Sequence, residues 1–415
     1  MTPATFLTGA TGYVGSHLLA RRLETRPDQA VICLARGRAG ATAAERVHGA
    51  LRTACHDRGE AGVPRGWYER VVVCDGDLTG GVAADDAAAL LRRGLRPHEF
   101  WHCAASIKFA ESADGAVWKT NVAGLCVALD LAERLGAAAF NHVSTAYVAG
   151  TLRGAVPATL DLSPDGFNNV YEESKLHGER LVAGRCADRG IGCRMFRPSI
   201  IVGHSRTHRT SSGAGLYHVL ELSRKFRELI EARQPGYLCA HGLRLPLDPA
   251  ATLNLIPIDV VVDEMTALAA CGSATLGQVF HVTSEEPLNV LAALRVALAG
   301  VGIRQLDALE PGAPLGAVDK LFGQALRHYL PYLRCRKVFD RVNVARYRSD
   351  PYRRSYQLDL AGLTGQVRQW LDDAPAAPRP ASGAAGSTCK PRRRRPGSGR
   401  CESMPTPAAV APTAA

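Results

Sequence analysis

The sequence predicts an α/β protein, a doubly wound parallel sheet with a smaller lobe added towards the C-terminus. Three observations predict it. Short apolar runs alternate with longer amphipathic ones through the first half of the chain. The runs are apolar on successive residues, as strands buried on both faces must be. A glycine-rich turn follows the first run directly and opens an amphipathic stretch. With 415 residues, 46% of them apolar, the chain can bury a large core.

The elements follow in order. "ATFLTG" reads as a strand and "YVGSHLLARRLE" as a helix. "AVICLAR" and "RVVVCDGDL" are strands, the second ending at Gly76–Leu78. "EFWHCAA" is the next, before a helical stretch from about 115 to 135. "AAFNHVSTAYV" is a strand with its exit loop. A helix containing "VYEESKLHGERLV" precedes the strand "GCRMFRPSIIVG". After Gly203 the rhythm changes, with a polar loop, "HSRTHRTSSGAG", and a helix over about 216–232. "LNLIPIDVVVDEMTALAA" and "GQVFHVTS" predict a strand, helix and strand returning to the sheet. "LAGLTGQVRQWLDD" is the last expected helix. Residues 1–203 plus 253–283 are thus assigned to the sheet domain, and 204–252 plus 284–375 to the smaller lobe over its carboxyl edge.

Residues 376–415 read as a disordered tail, rich in Pro, Gly, Ala and Ser and without aromatics. They hold seven Lys/Arg and one acid, so more than half of the net charge of +11 belongs to them. "KPRRRRP" has the charge to touch nucleic acid or an acidic membrane. A solvated tail accounts for it without a partner, and no nucleic acid is expected. No run of 18 uncharged apolar residues predicts a membrane span. The N-terminus has no basic region of a signal peptide. The twelve cysteines include no Cys-x-x-Cys pair, and Cys33, Cys74 and Cys103 lie in apolar runs. That pattern fits buried thiols in a reducing, cytoplasmic compartment. His204 and His208 stand four apart, but in a polar stretch without a third ligand, so no metal is expected.

Chemistry enters with "TGATGYVG". Gly9, Gly12 and Gly15 have the spacing that lets a backbone turn tightly and approach a pyrophosphate seated on a helix N-terminus. This makes the sheet a Rossmann-type dinucleotide domain. The second strand ends in "LARGR", where Arg36 stands in place of the acid that accepts an adenosine 2′-hydroxyl. A guanidinium there favours a 2′-phosphate, hence NADP(H) over NAD(H). Asp77 either holds the adenine amine or caps the following helix. Tyr171 and Lys175, four apart, share one helix face.

The glycine loop, "HCAAS" at 102–106, "NHVSTAYV" at 141–148, Tyr-x-x-x-Lys at 171–175 and "RPSIIVG" at 197–203 occur in this order. Together they resemble the extended short-chain dehydrogenase/reductases over about residues 4–285. "HCAAS", "VSTAYV" and "LNLIPIDVVV" are similar to the male-sterility branch, which holds fatty acyl-CoA reductases and carrier-protein thioester reductases. The resemblance implies an NAD(P)-dependent oxidoreductase that reduces an acyl-CoA or acyl-carrier thioester, or a related aldehyde, and whose smaller lobe binds the substrate. It implies that Thr145, Tyr171 and Lys175 are catalytic. Tyr171 would exchange the proton on the substrate oxygen, and Thr145 would donate to that oxygen. The Lys175 ammonium would favour the phenolate and reach the nicotinamide ribose. Ser144 is a neighbour that strand alternation points the other way. It further implies cofactor contacts from Gly9, Thr11, Gly12, Tyr13, Val14 and Gly15, and from Arg36, Asp77 and Leu78. Cys103, Ala104, Tyr171, Lys175, Pro198 and Ile201 complete the set. Asn121 either positions a water behind the lysine or is a helix-surface amide.

The alternative is another extended-family enzyme, acting on a nucleotide sugar or a hydroxysteroid-like alcohol. A diphosphate would need a basic clamp. Arg224, Lys225 and Arg227 either form it or line a solvated helix face.

Overall fold

The computed structural model describes residues 2–80, 94–310, 312–347 and 357–373. The expected tail, 376–415, lies outside the described residues. Seven parallel strands form the central sheet: β1 (Thr2–Thr8), β2 (Ala30–Ala35), β3 (Val71–Asp75), β4 (Leu95–His102), β5 (Ala139–Val143), β6 (Gly192–Pro198) and β7 (Gln278–Val282). Their spatial order is β7-β6-β5-β4-β1-β2-β3. The order reverses between β1 and β4, and the crevice at their carboxyl ends is where such sheets take ligands.

Adjacent apolar residues on each strand supply both faces. Phe100 and Trp101 are neighbours on β4 and must point to opposite sides. On one side Phe6, Phe100 and Phe140 stack across β1, β4 and β5, with ring centroids 4.7 and 5.1 Å apart. On the other Trp101 meets Phe196 at 5.5 Å, and Phe196 meets Phe280 at 5.8 Å. Each pair contributes about 0.5–1.5 kcal/mol beyond the area it buries. These ladders tie five strands, β1 and β4–β7, together at fixed spacing.

The helices that bear on the site are α1 (Tyr13–Thr25), α2 (Ala43–Asp57), α3 (Gly124–Arg134) and α4 (Val170–Arg189). Later come α5 (Leu216–Arg233), α6 (Ile258–Ala270), α7 (Val290–Gly300) and α8 (Leu360–Asp373). Helix α2 begins with a capping box, Thr42 and Glu45 each bonding the other's backbone N–H. Helix α4 starts at Asn169, whose side chain accepts from Glu172 N–H, and ends at Gly190 in the left-handed conformation. Helices α5, α7 and α8 share an apolar core of their own, with Leu220, Phe226, Leu294, Leu298 and Val367 all buried.

Several expectations are corrected. Leu255–Pro257 does not return to the central sheet; it pairs in parallel with Ile200–Val202 as a separate two-stranded sheet. The chain leaves β6 at Pro198, which has no N–H to continue a ladder. The third strand stops at Asp75, before Gly76–Leu78. The helical run expected over 115–135 contains a π-type turn, Lys119–Ala123. Cys33 is buried, but Cys74 and Cys103 are only partly so. No helix among the described residues is long and apolar enough to cross a membrane.

One buried ion pair ties α4 to the sheet. Arg197 on β6 and Glu179 on α4 are 0% and 1% exposed at the side chain, and their closest contact is 2.6 Å. Removing one partner leaves a charge in the interior, which is far costlier than removing both. Glu179→Gln is expected to destabilise the fold by about 3 kcal/mol or more. Adding Arg197→Met should recover most of that loss. Denaturant midpoints of the two variants check this, and a single variant as stable as the parent would contradict it.

Candidate active site

The glycine turn closes on itself. Gly12 N–H donates to Gly9 O at 2.9 Å. Gly9 has φ +77°, and a Cβ there would lie 2.5 Å from Ala104 N. A Cβ on Gly15 would lie 2.1 Å from Gly9 O. Only glycine fits at either position, so the β1 turn, the start of α1 and the Cys103–Ala104 segment pack backbone against backbone. This leaves the α1 N-terminus open to an anion, and its residues fit a dinucleotide pyrophosphate. Val14 packs into the core. Tyr13 turns towards the 200s, its hydroxyl donating to Val202 O at 3.2 Å and accepting from Thr210 at 3.3 Å.

At the end of β2 the arginines cluster. Arg36 pairs with Asp77 at 2.5 Å, half in solvent. Asp77 also accepts from Thr79 N and Oγ1, at 3.0 and 2.9 Å. It therefore caps a turn and holds Arg36 together. Arg46, on the first turns of α2, donates to Arg36 O and, at 3.5 Å, to Thr11 Oγ1. Partial burial and then the charges of Arg38 and Arg36 hold the Arg46 guanidinium below its ordinary pKa. Leu78 packs beneath α3. Arg46 was not singled out from the sequence, although the capping-box pattern Thr-x-x-Glu at 42–45 fixes where α2 begins and so places it.

Thr145, Tyr171 and Lys175 meet at the carboxyl ends of β5 and β6. Thr145 caps the 3₁₀ turn Ala146–Ala149, accepting from Tyr147 N–H at 3.2 Å. Its hydroxyl donates to Pro198 O at 3.5 Å and lies beside the Tyr171 hydroxyl, whose pKa it lowers. Lys175 is buried, with Nζ donating to Val143 O at 2.6 Å. Ser144 faces away, its Oγ buried without a hydrogen-bond partner. Ile201 lies partly buried beyond Pro198.

Asn121 is buried rather than at a helix surface. Its Oδ1 accepts from Ser106 N–H at 2.7 Å, and Nδ2 donates to Ser106 O at 3.0 Å and Ser174 Oγ at 2.9 Å. The π-type turn turns this amide towards α4. It thereby ties the loop after β4 to the helix of Tyr171 and Lys175.

The electrostatics differ from expectation at Tyr171. Burial pushes its hydroxyl up to about 12, against the Thr145 hydroxyl that lowers it and with Glu172 adding to the rise. Burial brings Lys175 down to about 8, opposed by Glu179 and Cys103. Lys175 thus stays cationic at neutral pH, yet its ammonium is turned to the Val143 carbonyl and Tyr171 remains a neutral phenol. Beneath them lie two buried imidazoles. His102 Nδ1 bonds Thr8 Oγ1 at 2.9 Å, and burial and then Lys175 depress it to about 3. His142 stacks on His102 at 5.6 Å and is likewise driven neutral by burial. A neutral phenol beside a threonine hydroxyl and an ammonium can give a proton to an oxygen that gains negative charge.

His204 faces Asp259, with Nε2 3.7 Å from Oδ2, and His208 has a left-handed φ of 58°. On α5, Arg224 pairs with Glu221 and Glu228, and Lys225 with Glu221. Arg227 lies against Gly302. These side chains line a charged helix face, not a phosphate clamp.

The sheet order, the glycine crevice and the residues at its carboxyl edge define a Rossmann-type protein of the extended short-chain dehydrogenase/reductase kind. Within that class, the NAD-binding family model described as "Male sterility protein" matches residues 7–265, and the chain belongs to this family. The nonribosomal peptide synthetase asaC of Aspergillus flavus is 26% identical over 295 residues, 68% of this chain and 26% of the relative. Human fatty acyl-CoA reductase 2 is 25% identical over 310 residues, 67% of this chain and 57% of the relative. The chain therefore spans only part of the length of these curated relatives. The terminal R domain of the myxalamid PKS-NRPS pathway shares the fold with a TM-score of 0.70 at 19% identity, covering 89% of this chain and 91% of that one. UDP-glucuronic acid 4-epimerase from Bacillus cereus, in complex with NAD, shares it with a TM-score of 0.58 at 16% identity, over 89% and 99%.

The protonation state is directly testable. Spectrophotometric titration of the cofactor-free protein, read as the difference from Tyr171→Phe, should show no phenolate from Tyr171 below about pH 10. A tyrosine ionising near neutrality in that difference would overturn the assignment.

Proposed function

We propose that this protein uses NADPH to reduce an acyl thioester, of coenzyme A or of an acyl-carrier protein, to the aldehyde and free thiol. One observation carries the reading. Thr145 and a phenol kept neutral by burial, Tyr171, stand side by side at the carboxyl edge of the sheet, beside the glycine crevice and the Lys175 ammonium. Bound in that crevice, the nicotinamide supplies the hydride. The glycine turn and the α1 N-terminus bind the pyrophosphate. Thr145 and Tyr171 orient the carbonyl by hydrogen bonds to its oxygen and stabilise the charge that develops there. Tyr171 then gives its proton to that oxygen. The raised pKa suits an acid rather than a base, and so suits reduction. Loss of thiol from the hemithioacetal leaves the aldehyde, which the same residues can engage for a second reduction to the alcohol.

Arg36, Arg38 and Arg46 support the choice of NADP(H). The exposed Arg36–Asp77 bond is worth no more than about 1 kcal/mol, so a 2′-phosphate can displace it. The separate core of α5, α7 and α8 supports residues 204–252 and 284–375 as the substrate lobe. The scattered cysteines support a cytoplasmic setting. Acyl-CoA or a carrier-bound acyl group is the partner.

The test is NADPH consumption against acyl-CoAs, acyl-carrier thioesters, aldehydes and nucleotide sugars. Thioesters should be turned over, and Tyr171→Phe should cost about 100-fold in rate while keeping NADPH affinity. Arg36→Asp should weaken NADPH binding by about 2 kcal/mol and leave NADH unchanged. Turnover of nucleotide sugars alone, or equal affinity of the unmutated protein for NADPH and NADH, would sink the respective claim.

A further inference from the structure

The first turn of α4 holds a buried carboxylate for which the proposed chemistry has no task. Glu172 follows Tyr171 directly and is 0% exposed. Asn168 donates to it from the backbone at 2.9 Å and from Nδ2 at 3.0 and 3.2 Å. The third donor is Tyr332, whose hydroxyl gives a 2.6 Å bond to Glu172 Oε1. That hydroxyl in turn accepts from Asn169 Nδ2 at 2.6 Å. Asn169 is the N-cap of α4. A phenol 160 residues further along the chain is therefore bonded to both residues that set the start of the catalytic helix.

The ring of Tyr332 reaches the other half of the site. It packs edge-on to Tyr147 at 5.0 Å and stacks on Phe109 at 5.8 Å. Tyr147 is the residue whose N–H holds Thr145 Oγ1. The strand Lys337–Phe339, just after Tyr332, pairs with Gly154–Val156 and anchors the segment. Lys337 is itself buried, donating to Gly150 O at 2.8 Å. Burial raises the Glu172 carboxyl above its ordinary pKa, and the bonds from Tyr332 and Asn168, then the Lys337 charge, oppose that rise. Burying a carboxylate is costly unless every bond it needs is made. Here each bond also fixes an element of the site, and a side chain one residue from Glu172 inherits that rigidity.

We propose that Tyr332 and Glu172 are positioning residues: their hydrogen bond, backed by Asn168 and Asn169, clamps the first turn of α4 against Tyr147 and so holds the hydroxyls of Tyr171 and Thr145 on one point. The clamp rests on the thioester-reductase reading, because its effect is read through that turnover. Tyr332→Phe removes the hydroxyl and keeps both ring contacts. Glu172→Gln keeps the shape but sets an amide against the Asn168 donors.

The experiment compares the full chain with Tyr332→Phe, Glu172→Gln, their double variant and Tyr171→Phe, on the best thioester with NADPH. Each clamp variant should lose about tenfold or more in kcat, as a displaced reacting group does, with NADPH affinity within about twofold. The double variant should be no worse than the poorer single one, since both remove the same bond. A Tyr171→Phe protein at full rate would refute the reading of the site itself. A crippled Tyr171→Phe beside clamp variants with unchanged kcat would overturn the clamp alone. Additive losses, or losses confined to KM, would also overturn it. Should Glu172→Gln not fold, kcat of Tyr332→Phe decides.

Discussion

The arrangement depends on one buried contact, the 2.6 Å bond from Lys175 Nζ to the carbonyl of Val143. An ammonium this deep, 3% exposed, must find an acceptor, and the last carbonyl of β5 is the one within reach. The bond pins α4 to the carboxyl end of β5. Thr145 lies two residues beyond Val143, and Tyr171 one helical turn before Lys175, so a single contact sets the distance between them. The Glu179–Arg197 pair, one turn further along α4, locks the same helix to β6. Helix rotation and sheet edge are thus fixed together, and the two hydroxyls meet.

That geometry also sets the protonation states. The strands converge on a buried region in which His102 and His142 are neutral and Tyr171 keeps its proton. Lys175, brought down by burial to about 8, remains cationic at neutral pH. An oxygen that becomes negative there meets a neutral donor and a nearby positive charge, the combination a reduction needs. An oxidation would need the phenolate, and burial works against it.

Much of this was legible in the sequence because it is local. Gly9, Gly12 and Gly15 state a backbone requirement directly, and the structure shows why a Cβ at Gly9 or Gly15 has nowhere to go. Continuous apolar runs gave strands, and a spacing of four placed Tyr171 and Lys175 on one face. What escaped is what local pattern does not encode. The π-type turn that aims Asn121 at Ser174 leaves no periodic trace. Leu255–Pro257 looks like a returning strand, but its partner depends on where Pro198 ends β6. Tyr332 sits in a stretch with no recognisable motif, and only the fold brings it to Glu172. The phenol's elevated pKa escaped for the same reason, since burial is a property of the packed molecule.

The central claim is that hydride passes to an acyl carbon whose oxygen is held by Thr145 and Tyr171. The most direct measurement supplies NADPH deuterated at the transferring carbon of the nicotinamide with an acyl thioester, and weighs the product by mass spectrometry. The account predicts an aldehyde carrying one deuterium at its carbonyl carbon, with free thiol released in equal amount. An aldehyde without deuterium, or thiol released with no NADPH consumed, would contradict it.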